Sequence, residues 1–325
     1  MEEHAGCQSS PDGARTPAQI WEEDVTRRAL DELFSHAKKY RTSASYRQLM
    51  KFVTRFRSYA PYNAMLVHIQ MPGAAYVAPP ERWLYRYGRF LKADARPLII
   101  LRPMGPVMFV FDVSDTEPGP DAEPLPPEVT CPFEVRGGHA GYRLEWTMEN
   151  AKRDGVRILE QKAGSQAAGS ICSVFGQPRQ ALEFEIGRDN YDNPIFVQVP
   201  LRYTLLLNET MSREARYATM VHELAHLYCG HLGTPDDRWW PDRRGMTTAH
   251  CEFEAESVTY LVCCRLGIDN PSAEYLADYV KKCPDVPPIS LECVMKAAGL
   301  IEQMGSKRQK QRPDRASTQR ERKER

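Results

Sequence analysis

Apolar positions recur at helical spacing early in the chain, at Leu30, Leu33, Phe34 and Ala37, and again at Leu49, Met50, Phe52 and Val53. Such stripes predict amphipathic helices. Two short apolar runs follow, 97–101 and 107–111, with Pro103 to Pro106 between them, and read as strands joined by a tight connection. Further strands are expected at 182–186 and 195–199, on either side of Asp189-Asn190-Tyr191-Asp192-Asn193, and at 203–208. Residues 211–232 then predict a helix: Ser212 suits the N-cap, Glu214 the positive first turn, and Gly230 or Gly233 the end. A second helix is expected over 251–262, and an amphipathic one over 290–304.

The mixture predicts an α+β protein, and its charge pattern divides it. Residues 1–19 are small and polar and read as a disordered tail. From Ile20 to Arg102 there are fifteen Lys/Arg and seven Asp/Glu, a net of +8, interleaved with aromatics. Cations for phosphates beside aromatic faces for bases are what single-stranded nucleic acid requires. The same residues also suit an aromatic core beneath a solvated basic face. Residues 112–128 reverse the sign, with six Asp/Glu, five Pro and no Lys or Arg. The expected organisation is therefore a tail (1–19), a small α+β domain (20–111), an acidic Pro-rich linker (112–130), a second α+β domain (131–304) and a basic disordered tail (305–325).

The whole chain of 325 residues carries 43 Lys+Arg and 43 Asp+Glu, with 42% hydrophobic residues, an ordinary globular composition. The acidic N-terminus and the absence of any eighteen-residue apolar run predict neither a secretory signal nor a membrane span. Nine cysteines, none in a Cys-x-x-Cys pair, suit a reducing, cytoplasmic setting.

The chemistry concentrates in His222-Glu223-Leu224-Ala225-His226. Two histidines four apart on a helix project from one face and suit one Zn²⁺, while Glu223 can act on water as general base. A catalytic zinc needs a third protein ligand and an open position. On the second helix Glu252 and Glu256 share a stripe, whereas Glu254 lies about 200° round from Glu252. Glu252 is the expected ligand, with Glu256 accepting from a ligand histidine. The reverse assignment satisfies the spacing equally. His231 is five residues beyond His226 and suits a helix end or a supporting role; His250, just before the second helix, suits an exposed or capping role, with metal ligation as the alternative. Trp239 and Trp240 suit either a cleft rim or packing. The strand 203–208 is expected to pair with an extended peptide. Tyr217, Tyr228 and Tyr260 are candidates for stabilising an oxyanion.

The run Ala218 to Gly233 around this motif, with Glu252-x-x-Ala255-Glu256, resembles ImmA/IrrE-type metallopeptidases. That family commonly has Asn or Asp where Glu256 stands. The resemblance implies a zincin-like domain, its active-site helix packed on a small sheet, with Glu252 as ligand. Tyr62-Asn63-Ala64-Met65-Leu66, Gln70 to Ala74, Trp83, Gly88-Arg89 and Ile99 to Pro103 separately resemble the single-stranded-DNA-binding domain of ArdC-type antirestriction proteins. It implies nucleic-acid contacts from Tyr62, Asn63, Trp83 and Arg89. The expected function is a zinc endopeptidase cleaving a regulatory or DNA-associated protein, with Glu223 as general base, coupled to an N-terminal DNA-binding domain. The alternative is an antirestriction-type DNA-binding protein whose zinc domain is mainly structural.

Overall fold

In the computed structural model the described residues are Tyr40, 42–102, 105–120, Ala122, Pro124, Leu125, 139–162, 169–174, 180–268, Ser272, Leu276, Tyr279 and 285–312. The expected tail 1–19, the helical stripe at Leu30 to Ala37, the linker residues 126–130 and the last part of the basic tail lie outside them. The described chain mixes helices and sheets, the α+β class that the pattern predicts.

Helix α1 (Ser43–Arg55) starts where the Thr42 hydroxyl accepts the Ser45 N–H, and buries Tyr46, Leu49, Met50 and Val53. Helix α2 (Pro61–Gln70) opens on a proline, whose missing N–H costs nothing at that position. Strand β1 (Val77–Ala78), helix α3 (Pro80–Tyr87) and strand β2 (Arg89–Leu91) follow, then β3 (Leu98–Arg102) and β4 (Gly105–Asp112). The order in this sheet is β1-β4-β3, and β2 pairs antiparallel with β5 (Thr116–Pro118). Asp112, the first acidic residue of the expected linker, is buried. Its carboxylate accepts the N–H groups of Ala75, Tyr76 and Ser114. The linker composition thus begins inside ordered structure, because a buried turn needs that acceptor.

Beyond it come α4 (Arg143–Ala151), β6 (Val156–Gln161), β7 (Gly169–Ser173), the hairpin β8 (Ala181–Arg188) and β9 (Pro194–Pro200), and β10 (Tyr203–Asn208). Helices α5 (Arg213–Tyr228), α6 (Thr248–Leu266) and α7 (Leu291–Met304) complete the described chain. The sheet order is β6-β10-β7, with β6 parallel and β7 antiparallel to β10. This corrects one expectation. β10 has both edges paired, as its alternately and fully buried side chains require, so it has no edge to offer a peptide. β6 and β7 are the edge strands.

One hydrophobic cluster runs from Tyr46, Leu49 and Met65 through Tyr217 and Leu224 to Ile301 and Met304. Tyr46 packs on Phe253 of α6, and its hydroxyl lies 2.6 Å from that of Ser257. Arg265 of α6 donates to the carbonyls of Val53, Phe56 and Tyr59 at the end of α1. Residues on both sides of the acidic segment therefore share a core. The basic tail also begins within the fold. The Gln309 N–H donates to Asn150, and Arg312 donates to Asp154 at 2.6 Å, so these two residues are anchored by buried polar groups while Ser306, Lys307, Arg308, Lys310 and Gln311 are exposed. No helix among the described residues is long and apolar enough to cross a membrane.

Candidate metal centre

Helix α5 starts at Ser212, whose hydroxyl accepts the Ala215 N–H at 3.2 Å. It buries Tyr217, Met220, Val221, Leu224, Ala225, Leu227 and Tyr228, leaving His222, Glu223 and His226 half-buried. Helix α6 buries Phe253, Ala255, Val258, Leu261 and Val262. That choice brings Glu252 and Glu256 to the histidines.

The Nε2 atoms of His222 and His226 are 3.2 Å apart. The Glu252 carboxylate lies 3.3 Å from the first and 3.5 Å from the second. Glu256 approaches the opposite nitrogen of His222, Nδ1, at 3.6 Å. Behind His226, its Nδ1 is 3.0 Å from Nδ1 of His231, and Nε2 of His231 is 3.0 Å from Glu254. For neutral rings this chain assigns the tautomers. His231 gives its Nε2 proton to the carboxylate, so its Nδ1 accepts from His226, and Nε2 of His226 is left as a lone pair. Glu256 beside Nδ1 favours the same tautomer in His222. Two lone pairs and a carboxylate then face one point.

The electrostatics agree with this reading at His226. Burial and the neighbouring His222 lower the pKa of His226 to about 4, keeping that ring neutral. Burial opposes charge on His222 too, but Glu252, Glu256 and Glu223 together raise its pKa. The His222 contact holds Glu252 below the ordinary carboxylate range, against a smaller opposing effect of burial. Burial raises Glu223, helped by Glu252 and opposed by His222 and the Ile171 N–H of β7. A raised carboxylate pKa suits a group that must take and return a proton. Strand β7 reaches this close because residue 169 is glycine. A Cβ there would stand 2.6 Å from the Thr219 methyl and 2.8 Å from the Leu206 carbonyl oxygen.

Donor atoms around one tetrahedral Zn²⁺, each about 2.0–2.1 Å from it, are separated by about 3.3 Å. The observed 3.2 Å between the two nitrogens, and 3.3 and 3.5 Å from them to different oxygens of the Glu252 carboxylate, are of that size. His222, His226 and Glu252 therefore form a group able to hold a metal ion. A second group, Cys229, His231 and Glu254, is comparably compact but already has its cation. Arg243 donates to both oxygens of Glu254, at 2.6 and 2.7 Å, and burial keeps the Cys229 thiol protonated.

Other expected residues take different places. Trp83 is fully buried and its indole N–H donates to the Phe111 carbonyl. Asn63 exchanges two hydrogen bonds with the Leu101 backbone. Arg89 donates to the Thr116 hydroxyl and carbonyl, and Tyr62 lies buried under Lys296. Tyr62 and Trp83 are thus buried rather than presented to bases, while Asn63 and Arg89, both half-buried, make hydrogen bonds within the fold. Trp240 packs on Tyr228, and its indole N–H donates to the Gly233 carbonyl. Tyr217 and Tyr228 are buried in the core, away from any oxyanion. The residues missed by sequence reasoning are Glu254 and Arg243, which support His231. Glu254 points away from Glu252, as the helical pitch requires, and reaches the centre only through His231.

Residues 179–259, which contain the hairpin, β10, α5 and the first part of α6, match the family model of the IrrE N-terminal-like domain, Peptidase_M78. The resemblance noted from the His222–His226 segment and Glu252 is thereby shown over this segment. No curated protein matches the chain. Two solved structures of the antirestriction protein ArdC from plasmid R388 are similar at 14% identity. The metal-free one has a TM-score of 0.31 and covers 76% of this chain and 82% of its own. The Mn(II)-bound one has a TM-score of 0.32 and covers 81% and 98%. Superposition this loose says nothing about individual residues.

Proposed function

We propose that the chain is a zinc-dependent endopeptidase, with the ion held by His222, His226 and Glu252. The observation that supports this most is the convergence of two Nε2 lone pairs with the Glu252 carboxylate beside a Glu223 of raised pKa. Zinc suits two imidazoles and one carboxylate with a position left open. Such an ion supplies Lewis acidity to a peptide carbonyl and acidifies water. Glu223 takes a proton from the attacking water and delivers it to the departing amine. Glu256 holds the ring of His222, and His231 that of His226. An extended substrate adds to the edge of β7, whose Ile171 already gives its N–H to Glu223. The reducing cytoplasm suits the cysteines, none of which forms a disulfide among the described residues.

Glu223→Gln tests the reading. Hydrolysis of an unfolded protein substrate should fall by about 10²–10⁴-fold while one zinc per chain is retained. Undiminished hydrolysis in that variant refutes it.

A nucleic-acid-binding role keeps one supporting observation. Tyr85, Phe90 and Phe109, on the basic N-terminal part, are 83%, 50% and 52% exposed. Single-stranded DNA would stack on these faces rather than on Trp83. Binding that weakens with salt and is lost in the double variant Tyr85→Ala, Phe90→Ala is the expected result. If DNA binding persists there but Glu223→Gln leaves the biological activity intact, the metal domain is structural.

A further inference from the structure

Behind the metal centre, cysteines from three helices gather round the ion pair of Glu254 with Arg243. Cys229 caps the end of α5 and is fully buried, and its Sγ lies within 4.8 Å of ligand atoms of His231 and Glu254. Arg243 donates to Glu254 and also to the Cys229 carbonyl, at 3.0 Å. Cys293 comes from the first turn of α7. Its N–H donates to the Ser290 hydroxyl, and the Ser290 N–H donates to Glu254 at 2.7 Å. Cys251 stands one turn before Glu254 on α6. The thiols also feel one another. Burial raises the Cys229 thiol most, then Glu254, then Cys293, with Cys251 the weakest of these. Their access differs. Cys293 is half-buried and lines a cavity of about 540 Å³ together with Arg243, Trp239 and Ser290. A thiol open to a cavity meets a small oxidant first, and a buried thiol reacts only through it.

We propose that Cys293 and Cys229 are a redox pair that closes to a disulfide when a small-molecule disulfide, of the glutathione disulfide class, enters the cavity. The Cys293 sulfur attacks one sulfur of that molecule, and the first glutathione thiol leaves with the Cys293 proton. The Cys229 sulfur then attacks Cys293 in the mixed disulfide, and the second glutathione leaves with the Cys229 proton. Two protein thiols are oxidised and one disulfide is reduced to two thiols. In a reducing setting such a bond is transient and sensing rather than structural. It ties the end of α5 to the start of α7 beside Arg243. No step needs a metal, so the pair stands apart from the peptidase reading.

The folded full chain is incubated with glutathione disulfide, its remaining thiols are alkylated, and the digest is mapped by mass spectrometry. Peptides joined through Cys229 and Cys293, and separated again by dithiothreitol, are the expected result. The link should survive in Cys251→Ser. It should be lost in Cys293→Ser, where Cys229 stays a thiol. In Cys229→Ala, which keeps a small apolar side chain in the core, the reaction should stop at glutathione on Cys293. A link through Cys251 or any other cysteine, glutathione arrested on Cys293 in the unaltered chain, or no reaction at Cys293 would overturn the proposal.

Discussion

On α2, Asn63 and Gln70 each donate to a backbone carbonyl of β3 and accept a backbone N–H in return. On α5, His222 and His226 present acceptors that meet another acceptor, Glu252, across 3.2–3.5 Å. Both helices are packed into the same core. In the first, the two side-chain amides match donor to acceptor and serve cohesion. In the second, matching stops one atom short, and a cation is the species that satisfies it. Residue type does not separate structure from site here; donor–acceptor bookkeeping does.

The contrast can be broken most severely at Glu254. Its carboxylate is inaccessible and carries Arg243, His231 and the Ser290 N–H. Glu254→Ala should destabilise the fold by about 3–5 kcal/mol, since it leaves a half-buried guanidinium, an imidazole and a backbone N–H without their shared acceptor. Denaturant unfolding measures this, and a loss below 1 kcal/mol would mean that the network is not a support.

Trp83→Ala should cost a similar or slightly smaller amount, about 3–4 kcal/mol, through the cavity it leaves. A stable Trp83→Ala protein that no longer binds single-stranded DNA would show that the N-terminal half is a site after all. His231→Phe sharpens the other side. Without its acceptor, His226 loses its tautomer, and zinc affinity measured by competition with a chelator should fall about 10- to 100-fold. Unchanged affinity would remove the relay from the centre.

The smallest effect is expected at Arg312, which with Arg153 and the Tyr228 hydroxyl surrounds Asp154. Burial alone would raise the Asp154 pKa, but the two guanidiniums outweigh it and the net direction is down. A depressed carboxylate stabilises the fold above its ordinary value near 3.9, and that stability is lost as pH falls through the folded value. Arg312→Met should therefore lower stability by about 1–2 kcal/mol at neutral pH. The gap from wild type should close in acid below about pH 4. A gap that widens in acid would assign the stabilisation to another group.

Much of this arrangement was legible in the sequence. The four-residue spacing of His222 and His226, the Ser212 cap and the stripe holding Glu252 and Glu256 are local, and local periodicity places them on two helices. The supporting network was not legible because it depends on a turn. Gly230 has φ +85°, and a Cβ there would stand 2.0 Å from the Pro241 carbonyl oxygen. That close passage brings the Arg243 N–H to the Gly230 carbonyl and its guanidinium to Glu254. Nothing in the spacing of Glu254 or Arg243 announces it. Strand order is likewise absent from a strand's own pattern, so β10 read equally well as centre or edge. The aromatics of the N-terminal half were visible, but which faces they bury was decided by tertiary contacts such as Trp83 with Tyr76 and Tyr87.

The central claim is that the meeting of acceptors on α5 and α6 is a metal site completed by Glu252. Elemental analysis of the purified chain and of its Glu252→Ala and Glu256→Ala variants, each checked for folding, tests it directly. The expected result is one zinc per chain in the wild type, its loss in Glu252→Ala, and its weakened retention in Glu256→Ala. Stoichiometric zinc in Glu252→Ala, with loss in Glu256→Ala, would contradict the assignment.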